Sequence, residues 1–380
     1  MEDWIMKRIR GVNLGNWLVL EKWMSPELYN DTTAEDETYL CLQLSEREKR
    51  SRLKAHRDHY ITSRDFAYIA EKGFNLVRLP VPFFVFEDIG PYVHCAEYVD
   101  KAMKWANQYG LKVLLDLHTV PGSQNGSDNA GICGIIQWAN HPERVELALN
   151  VLERLALRYG QDPALYGIEV LNEPQPIDGA LSEKIRQVGI DIMARYQPVD
   201  KEAAKLNKPY TKAWLEGFYK DAYARIRKYL PLDKTVVFDD AFDIHHFADW
   251  LSAQNYENVA LDTHQYIMLA DWMQLCEPNY KEYVKYVTEV FTEEVSYGQA
   301  RVPTFCGEWS LFNAQPGLRE ESREVRKEVY SAIANAQMAA FDHCDGWIYW
   351  CYKTHLDDPD WDCWDIGKCI SNGWMPNDYR

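Results

Sequence analysis

The chain has 380 residues, of which 47% are hydrophobic and 26% charged, a composition typical of a globular protein with a large core. Its formal net charge of −17 argues against nucleic acid and anionic membranes as partners, because binding phosphate groups requires clustered Lys and Arg. No stretch rich in Pro, Gly or Ser divides the sequence, so residues 1–380 are predicted to form a single domain.

The amino terminus carries Glu2 and Asp3 and lacks the apolar segment of a secretory signal. No later run is long and apolar enough to span a bilayer. The nine cysteines form an odd set without CxxC pairs, which favours reduced thiols packed in the core over disulfides or a zinc site. The sequence therefore predicts a cytoplasmic protein with no metal and no cofactor, and it gives no indication of the oligomeric state.

Short apolar runs alternate along the chain with longer segments of helical period. The predicted strands are 8–13, 75–80, 112–117, 165–171, 235–238, 259–263, 302–306 and 346–350. Helical spacing is clearest where Val145, Leu149, Leu152 and Ala156 recur every three or four residues, and again from Val325 to Ala340. Eight strands with intervening helices predict an α/β fold, a (β/α)₈ TIM barrel. The alternative is an open doubly wound sheet, but no Gly-rich phosphate-binding turn follows an early strand.

Polar residues follow most of the predicted strands, at the barrel end where active sites of this fold lie. They are Arg78, Asp116 with His118, Asn172 with Glu173, His264 with Tyr266, Glu308, and Trp350. The segment from residue 175 to residue 210 is long and rich in charge, so the catalytic face is expected to carry enlarged loops that form a lid or a specificity wall.

Two of these residues are acids that each end an apolar run. Glu173 closes the run 166–173 and precedes Pro174, and Glu308 closes the run 302–308. Burial at the end of a strand favours the neutral form of a carboxyl group, so Glu173 is expected to donate a proton near neutral pH. Two carboxylates that converge on one cleft are the arrangement that glycoside hydrolysis requires. The alternative for either acid is a helix cap or a surface ion pair.

The pattern resembles glycoside hydrolase family five, a family of retaining β-glycosidases on (β/α)₈ barrels. The positions that match the motif residues of that family are Arg78, His118, Asn172, Glu173, His264, Tyr266, Glu308 and Trp350. The strings at 10–21, 121–126 and 347–354 are similar to the branch that contains fungal exo-β-1,3-glucanases.

The resemblance implies that Glu173 is the general acid and base and that Glu308 is the nucleophile of a double displacement. It also implies a set of substrate-binding residues around them. Arg78 and Tyr266 would keep Glu308 ionised, Asn172 would hold the 2-hydroxyl group, Trp350 would form an apolar floor, His118 and His264 would orient substrate or the acids, and Glu21 would bind the far end of the sugar. Asn125 begins an Asn-Gly-Ser triplet that fits a glycosylation site, but in an unsecreted chain we expect this loop to contact sugar.

The preferred function is a retaining exo-β-glycosidase that acts on short β-linked oligosaccharides, with β-mannosidase placed ahead of the alternatives. These are an exo-β-1,3-glucanase or β-glucosidase, and a carbohydrate-binding barrel without turnover. The resembled glucanases carry an aromatic clamp just after the His-x-Tyr motif. Met268 or Leu269 occupies that position here, which argues against a polymer-binding clamp.

Overall fold

The chain closes into a barrel of eight parallel strands. The computed structural model describes residues 8–188 and 198–380, so the predicted features at 1–7 and at 189–197 lie outside the described residues. The strands are β1 Ile9–Asn13, β2 Leu76–Val81, β3 Lys112–Leu117, β4 Leu165–Glu169, β5 Thr235–Asp239, β6 Val259–His264, β7 Thr304–Glu308 and β8 Gly346–Tyr349. They pair in sequence order, and β8 closes the sheet on β1. The predicted (β/α)₈ barrel is confirmed.

Helices surround the barrel and occupy several of its loops. They are α1 Glu37–Gln43, α2 Glu46–Tyr60, α3 Ser63–Glu71, α4 Ala96–Tyr109, α5 Pro142–Tyr159, α6 Ala180–Val188, α7 Lys201–Ala204, α8 Lys212–Ile226, α9 Ile244–Ser252, α10 Ile267–Trp272, α11 Tyr280–Tyr286, α12 Thr292–Gln299, α13 Arg323–Phe341 and α14 Ile366–Ser371. A π-helical turn, Val287–Phe291, joins α11 to α12. Within the described part of the chain, no helix is both long and apolar enough to cross a membrane.

The barrel interior is built in two layers. Small and branched apolar side chains fill its amino-terminal end, among them Leu76, Leu114, Val237 and Ala260. Side chains two residues apart on a strand point the same way, so the next inward positions form the second layer. Those positions are Arg78, Asp116, Asp239 and Asp262, and all are at most 1% exposed. The barrel interior therefore has an apolar layer at its amino-terminal end and a layer of ionisable side chains above it, next to the loops that carry the site.

The predicted strands agree with the observed ones, apart from their ends. β4 ends at Glu169 and not at residue 171, so Glu173 does not follow the strand directly. Glu173 has a φ of +42°, a left-handed conformation that is rare outside glycine. β7 extends as far as Glu308. The helical spacings are confirmed as α5 and α13, although Val325 lies on the outer face of α13 and is 37% exposed.

The segment that follows β4 is confirmed as a large loop. Its described parts contain α6 and α7, and its two ends meet where the Ile177 N–H donates to the Tyr210 carbonyl at 2.8 Å. The prediction of unpaired thiols is also confirmed, because all nine cysteines are free and eight are buried.

Candidate active site

A cavity of about 760 Å³ opens at the carboxyl ends of the strands. Glu173 and Glu308 both line it, although they are 135 residues apart in sequence. Its aromatic walls are Trp23, Phe242, Tyr266, Trp272, Phe312, Trp350, Trp361 and Trp364. Its volume lies within the range of about 300–1,000 Å³ that is typical of ligand pockets, and two acids line it. The cavity is therefore the candidate active site.

The two acids face each other around His264. A carboxylate oxygen of Glu173, a carboxylate oxygen of Glu308 and a ring nitrogen of His264 all lie within 4.8 Å of one another. In retaining glycosidases the two carboxyl groups are about 5–5.5 Å apart, whereas inverting enzymes leave a gap of about 6.5–9.5 Å for water. The observed spacing matches the retaining arrangement.

Glu308 accepts hydrogen bonds from a residue of β2 and from a residue of the loop after β6. Arg78 Nη1 donates to its Oε1 at 2.8 Å, and the Tyr266 hydroxyl donates to its Oε2 at 2.9 Å. A register shift between Thr263 and His264 sets His264 opposite Glu308 across the β6–β7 pair. This irregularity places the imidazole beside both acids.

Glu173 is fixed through its backbone and its side chain. Its N–H donates to Asp239 Oδ2 at 3.0 Å, and its carbonyl accepts from Asn125 Nδ2 at 3.1 Å. His264 Nδ1 donates to its Oε1 at 2.8 Å, and Asn129 Nδ2 donates to its Oε2 at 2.7 Å. Each carboxylate oxygen therefore has its own donor, while the backbone contacts support the left-handed conformation.

Arg78 balances the buried charge beneath the acids. Its guanidinium forms a bidentate pair with Glu169, with both distances at 2.7 Å, and lies 3.2 Å from Asp116. Burial nonetheless raises the pKa of Asp116 to about 7 and that of Glu169 to about 8, because one guanidinium cannot offset the desolvation of several carboxylates. Burial therefore favours the protonated forms of these two carboxyl groups.

The pKa values of the two facing acids are shifted in opposite directions. Burial raises the pKa of Glu308 to about 8, although His264 and Arg78 favour its ionised form. Burial also acts on Glu173, but the hydrogen bonds from His264 and Asn129 outweigh it and lower its pKa. Burial lowers the pKa of His264, but the carboxylates around it, Glu308 foremost, raise it well above its ordinary value.

In the free site the hydrogen bonds from His264 and Asn129 therefore favour the ionised form of Glu173, and burial favours the protonated form of Glu308. The prediction that burial keeps Glu173 neutral is wrong for the free site, because two hydrogen bonds stabilise its charge. The predicted catalytic roles need the reverse distribution of the carboxyl proton. His264 Nδ1 lies 2.8 Å from Glu173 and 3.6 Å from Glu308, so a one-proton transfer within this triad interconverts the two forms.

The remaining predicted site residues fall into two groups. Glu21, Tyr266 and Trp350 line the cavity, and Trp23 Nε1 donates to Glu21 Oε2 at 2.8 Å. His118 lies beneath the cavity, stacked on Trp350 with their ring centroids 5.7 Å apart. His118 Nε2 and Asn172 Nδ2 have no hydrogen-bond partner among the described residues, so both retain capacity to bind a ligand.

Two of the predicted substrate-binding residues lie outside the cavity lining. Arg78 and Asn125 are fully buried and do not line the cavity. The guanidinium of Arg78 donates hydrogen bonds to Glu169, to Glu308 and to the side-chain oxygens of two asparagines. Asn125 Nδ2 donates to the Glu173 carbonyl. Arg78 pairs with Glu308, as predicted, and Asn125 contacts the backbone carbonyl of Glu173, so both residues hold the acids in place.

Sequence reasoning missed Asn129 and Asp239, which position Glu173. Asn129 lies four residues after Asn125 in a loop that the sequence had already singled out. Asp239 ends β5, which, like β1, was a predicted strand with no site residue assigned to its end. The rule that chemistry lies at the carboxyl ends of barrel strands was the signal that could have found it.

The family to which the sequence matches agrees with the geometry of the site. Residues 44–355 match the Cellulase family (glycosyl hydrolase family 5). The chain belongs to glycosyl hydrolase family 5. Its place there confirms the resemblance drawn from the sequence, and the protein is a glycoside hydrolase of this family.

Curated relatives in fungi match nearly the whole chain. A glucan 1,3-beta-glucosidase from Kluyveromyces lactis is 31% identical, covering 97% of this chain and 88% of the relative. The glucan 1,3-beta-glucosidase 1 of Schizosaccharomyces pombe is 29% identical, covering 99% of this chain and 90% of the relative. Among solved structures, a rutinosidase from Aspergillus niger has a TM-score of 0.76 at 20% identity, covering 98% of this chain and 99% of that one. The structural likeness supports the barrel fold of the family 5 chain.

Proposed function

We propose that the protein is a retaining, exo-acting β-glucosidase that releases a terminal glucose by double displacement. In the first step Glu308 attacks C1 of the sugar while Glu173 protonates the departing oxygen. In the second step Glu173 deprotonates water, which hydrolyses the glycosyl-enzyme. The observation that carries this proposal is the placement of the two carboxylates within 4.8 Å around His264.

The choice of glucose rests on the relatives. Those described above are named as glucan 1,3-beta-glucosidases and match 97–99% of this chain, so β-1,3-linked glucosides are the natural first substrates to test. The β-mannosidase prediction stays untested and moves to second place. Mannose and glucose differ only at C2, and we assign recognition of that hydroxyl to Asn172, whose Nδ2 has no hydrogen-bond partner among the described residues.

Exo action is supported by the loop after β1. Its residues Glu21, Lys22 and Trp23 line the cavity, and Lys22 forms an ion pair with Glu35 at 2.7 Å. Glu21 is 5% exposed, and burial together with Asp128 raises its pKa, so its carboxyl group carries a proton more readily than a free glutamate. Such a group both donates to and accepts from the hydroxyls at the non-reducing end.

The direct test compares 4-nitrophenyl β-D-glucoside with 4-nitrophenyl β-D-mannoside on the purified protein, with laminaribiose as a β-1,3-linked disaccharide. We expect kcat/KM for the glucoside to exceed that for the mannoside by at least about tenfold. The opposite order would restore the β-mannosidase proposal. Hydrolysis of neither glycoside would favour a carbohydrate-binding barrel without turnover.

We further propose that the enzyme works in the cytoplasm. The nine free cysteines support this location, because secreted proteins commonly pair theirs. Fractionation of source cells with an antibody to the protein tests the proposal, and recovery in the medium would contradict it.

A further inference from the structure

Glu21 lies at the end of a buried stretch of the loop that follows β1. Residues 14–21 are all buried, and Glu21 is 5% exposed where it lines the cavity. A carboxyl group recognises hydroxyls well only if its backbone is held in place, because a displacement of about 1 Å is enough to weaken such contacts. The residues that hold this backbone therefore contribute to sugar recognition.

The side chain of Asn16 holds this backbone from inside the protein. Its Oδ1 accepts the N–H of Glu21 at 2.9 Å, and its Nδ2 donates to Ser25 Oγ at 2.7 Å. The backbone N–H of Glu21 can only donate, so the amide must turn its oxygen towards Glu21 and its nitrogen towards Ser25. One buried side chain thus joins both ends of the segment 21–25, which supplies three cavity residues.

The backbone of Asn16 is itself anchored. It has a φ of +60°, in the left-handed region that asparagine adopts more readily than most residues. His56 Nε2 donates to its carbonyl at 2.7 Å, and Trp17 Nε1 donates to the Arg57 carbonyl at 2.9 Å, so two adjacent residues of the loop are tied to α2. Burial lowers the pKa of His56 to about 4, so its ring is neutral near neutral pH and this contact persists there.

The residue before Asn16 connects this anchor with Trp350. An added Cβ at Gly15 would lie 2.9 Å from Cζ2 and 3.0 Å from Cη2 of the Trp350 ring, so the backbone of Gly15 packs directly against the indole. Trp350 lines the cavity and is the predicted floor under the sugar. Gly15 and Asn16 therefore set the position of Glu21 relative to this ring.

We propose that Asn16 is a positioning residue, through which Glu21 is held in place to recognise the terminal sugar. This inference rests on the proposed β-glucosidase function, in which Glu21 binds hydroxyls at the non-reducing end. Asn16 does not line the cavity, so it acts only through the residues that it holds. Its loss should weaken sugar binding and leave the two catalytic acids in place.

The test is Asn16→Gly, because glycine accepts the positive φ and the substitution removes only the side-chain amide. Loss of a contact made equally in the ground state and the transition state raises KM and leaves kcat unchanged. We expect KM for 4-nitrophenyl β-D-glucoside to rise about fivefold to thirtyfold, as for one or two lost hydrogen bonds, with kcat within about threefold of wild type.

Isofagomine binding, measured by calorimetry, gives a second readout that needs no turnover. This amine has the shape of glucose but lacks the 2-hydroxyl group, so its affinity does not depend on whether the enzyme prefers glucosides or mannosides. We expect its dissociation constant to rise in Asn16→Gly by the same factor as KM. Ser25→Ala removes one of the two contacts and should raise both constants about twofold to fivefold, which keeps the test decisive if Asn16→Gly does not fold.

Asn258→Gly is the matched control. Asn258 has a φ of +46°, and its side chain also makes two hydrogen bonds, to the Leu232 carbonyl at 3.0 Å and from Thr235 Oγ1 at 3.2 Å. It directly precedes β6, at the amino-terminal end of the barrel strands and away from the cavity. Asn258→Gly should leave KM and the affinity for isofagomine unchanged.

The Glu21→Ala background separates positioning of Glu21 from a general effect on the fold. If Asn16 acts through Glu21, then Asn16→Gly should change KM by less than about twofold once the carboxyl group is absent. The full change in that background would show that Asn16 acts elsewhere, and it would overturn the proposal.

Unchanged KM and unchanged isofagomine affinity in folded Asn16→Gly and Ser25→Ala would also overturn the positioning role, and they would leave the β-glucosidase function standing. Lack of turnover of every glucoside by the wild-type protein would overturn the proposed function. Isofagomine binding would then still decide whether Asn16 positions Glu21.

Discussion

At the scale of single residues, the account depends on how the protein distributes a few protons among buried carboxyl groups. Glu173 and Glu308 are chemically identical, and their neighbours make them different. Glu308 has the buried guanidinium of Arg78 at 2.8 Å, while Glu173 has an amide and an imidazole. Permanent positive charge stays with Glu308 throughout the reaction, which suits the acid that must be ionised when it attacks.

Glu308→Gln should abolish turnover and leave the fold intact. The amide has the same shape as the carboxylate but cannot form a stable glycosyl ester, so we expect kcat to fall by at least about 1,000-fold. Residual hydrolysis within about tenfold of wild type would contradict the nucleophile assignment. Circular dichroism and the thermal midpoint of the variant serve as the control for folding.

Glu173→Ala should affect substrates according to their leaving groups. A general acid contributes about 10²–10⁴-fold where the departing oxygen is basic, and little where the leaving group is already stable as an anion. The loss in kcat/KM should therefore be large for phenyl β-D-glucoside and small for the 2,4-dinitrophenyl glucoside. Equal losses on both would show that Glu173 is not the proton donor.

The profile of kcat/KM against pH should be bell-shaped. Above pH about 8, the pKa of Glu308, the pair loses its one carboxyl proton and no acid remains to protonate the leaving group. As the pH falls below the ordinary pKa of a glutamate, Glu173 is protonated as well. The pair then carries two carboxyl protons, and neither acid is ionised to act as the nucleophile. Asn129→Ala removes a donor to ionised Glu173, which raises its pKa and should move the acid limb to higher pH. A basic limb below pH about 6 in the wild type would contradict this assignment.

At the scale of elements, apolar runs predicted every strand but not every strand end. Whether a residue stays in the ladder depends on the neighbouring strand, which the local sequence does not contain. Glu169 is an example, since an acid inside a buried strand is tolerable only because Arg78 of β2 pairs with it. Asp239 was missed for a similar reason. Its role is to accept the N–H of Glu173, a contact between β5 and the loop after β4.

The β6–β7 pairing carries the most demanding packing in the site. Gly307 precedes the nucleophile, and a Cβ at this position would lie far inside van der Waals contact distance of both carboxylate oxygens of Asp262. Gly307→Ala should therefore lower the free energy of unfolding by about 1–3 kcal/mol or more and displace Glu308. Urea unfolding measures the first effect, and kcat/KM measures the second.

Gly217→Ala is the matched control for that substitution. Gly217 lies within α8, and an added Cβ would meet no atom within 4 Å. Alanine there should raise stability by about 0.5–1 kcal/mol. If Gly307→Ala were as stable and as active as Gly217→Ala, the close approach of Asp262 to β7 would not be the constraint that fixes Glu308.

At the scale of the whole molecule, the sequence predicted the closed barrel, the face that carries the site and the two facing acids. This was possible because eight strands that alternate with helices predict a closed parallel barrel. In such a barrel the carboxyl ends of all strands lie on one face. It could not predict the pKa order of the acids. That order depends on Asn129 and His264, which reach Glu173 from two other segments of the chain.

The stereochemistry of hydrolysis tests the central claim most directly. Proton NMR of the reaction with 4-nitrophenyl β-D-glucoside, recorded before mutarotation, shows which anomer of glucose forms first. Two carboxylates this close leave no room for water opposite the leaving group, so the account predicts β-glucose. Initial release of α-glucose would mean a single displacement, and it would contradict the assignment of Glu308 as a nucleophile that bonds to the sugar.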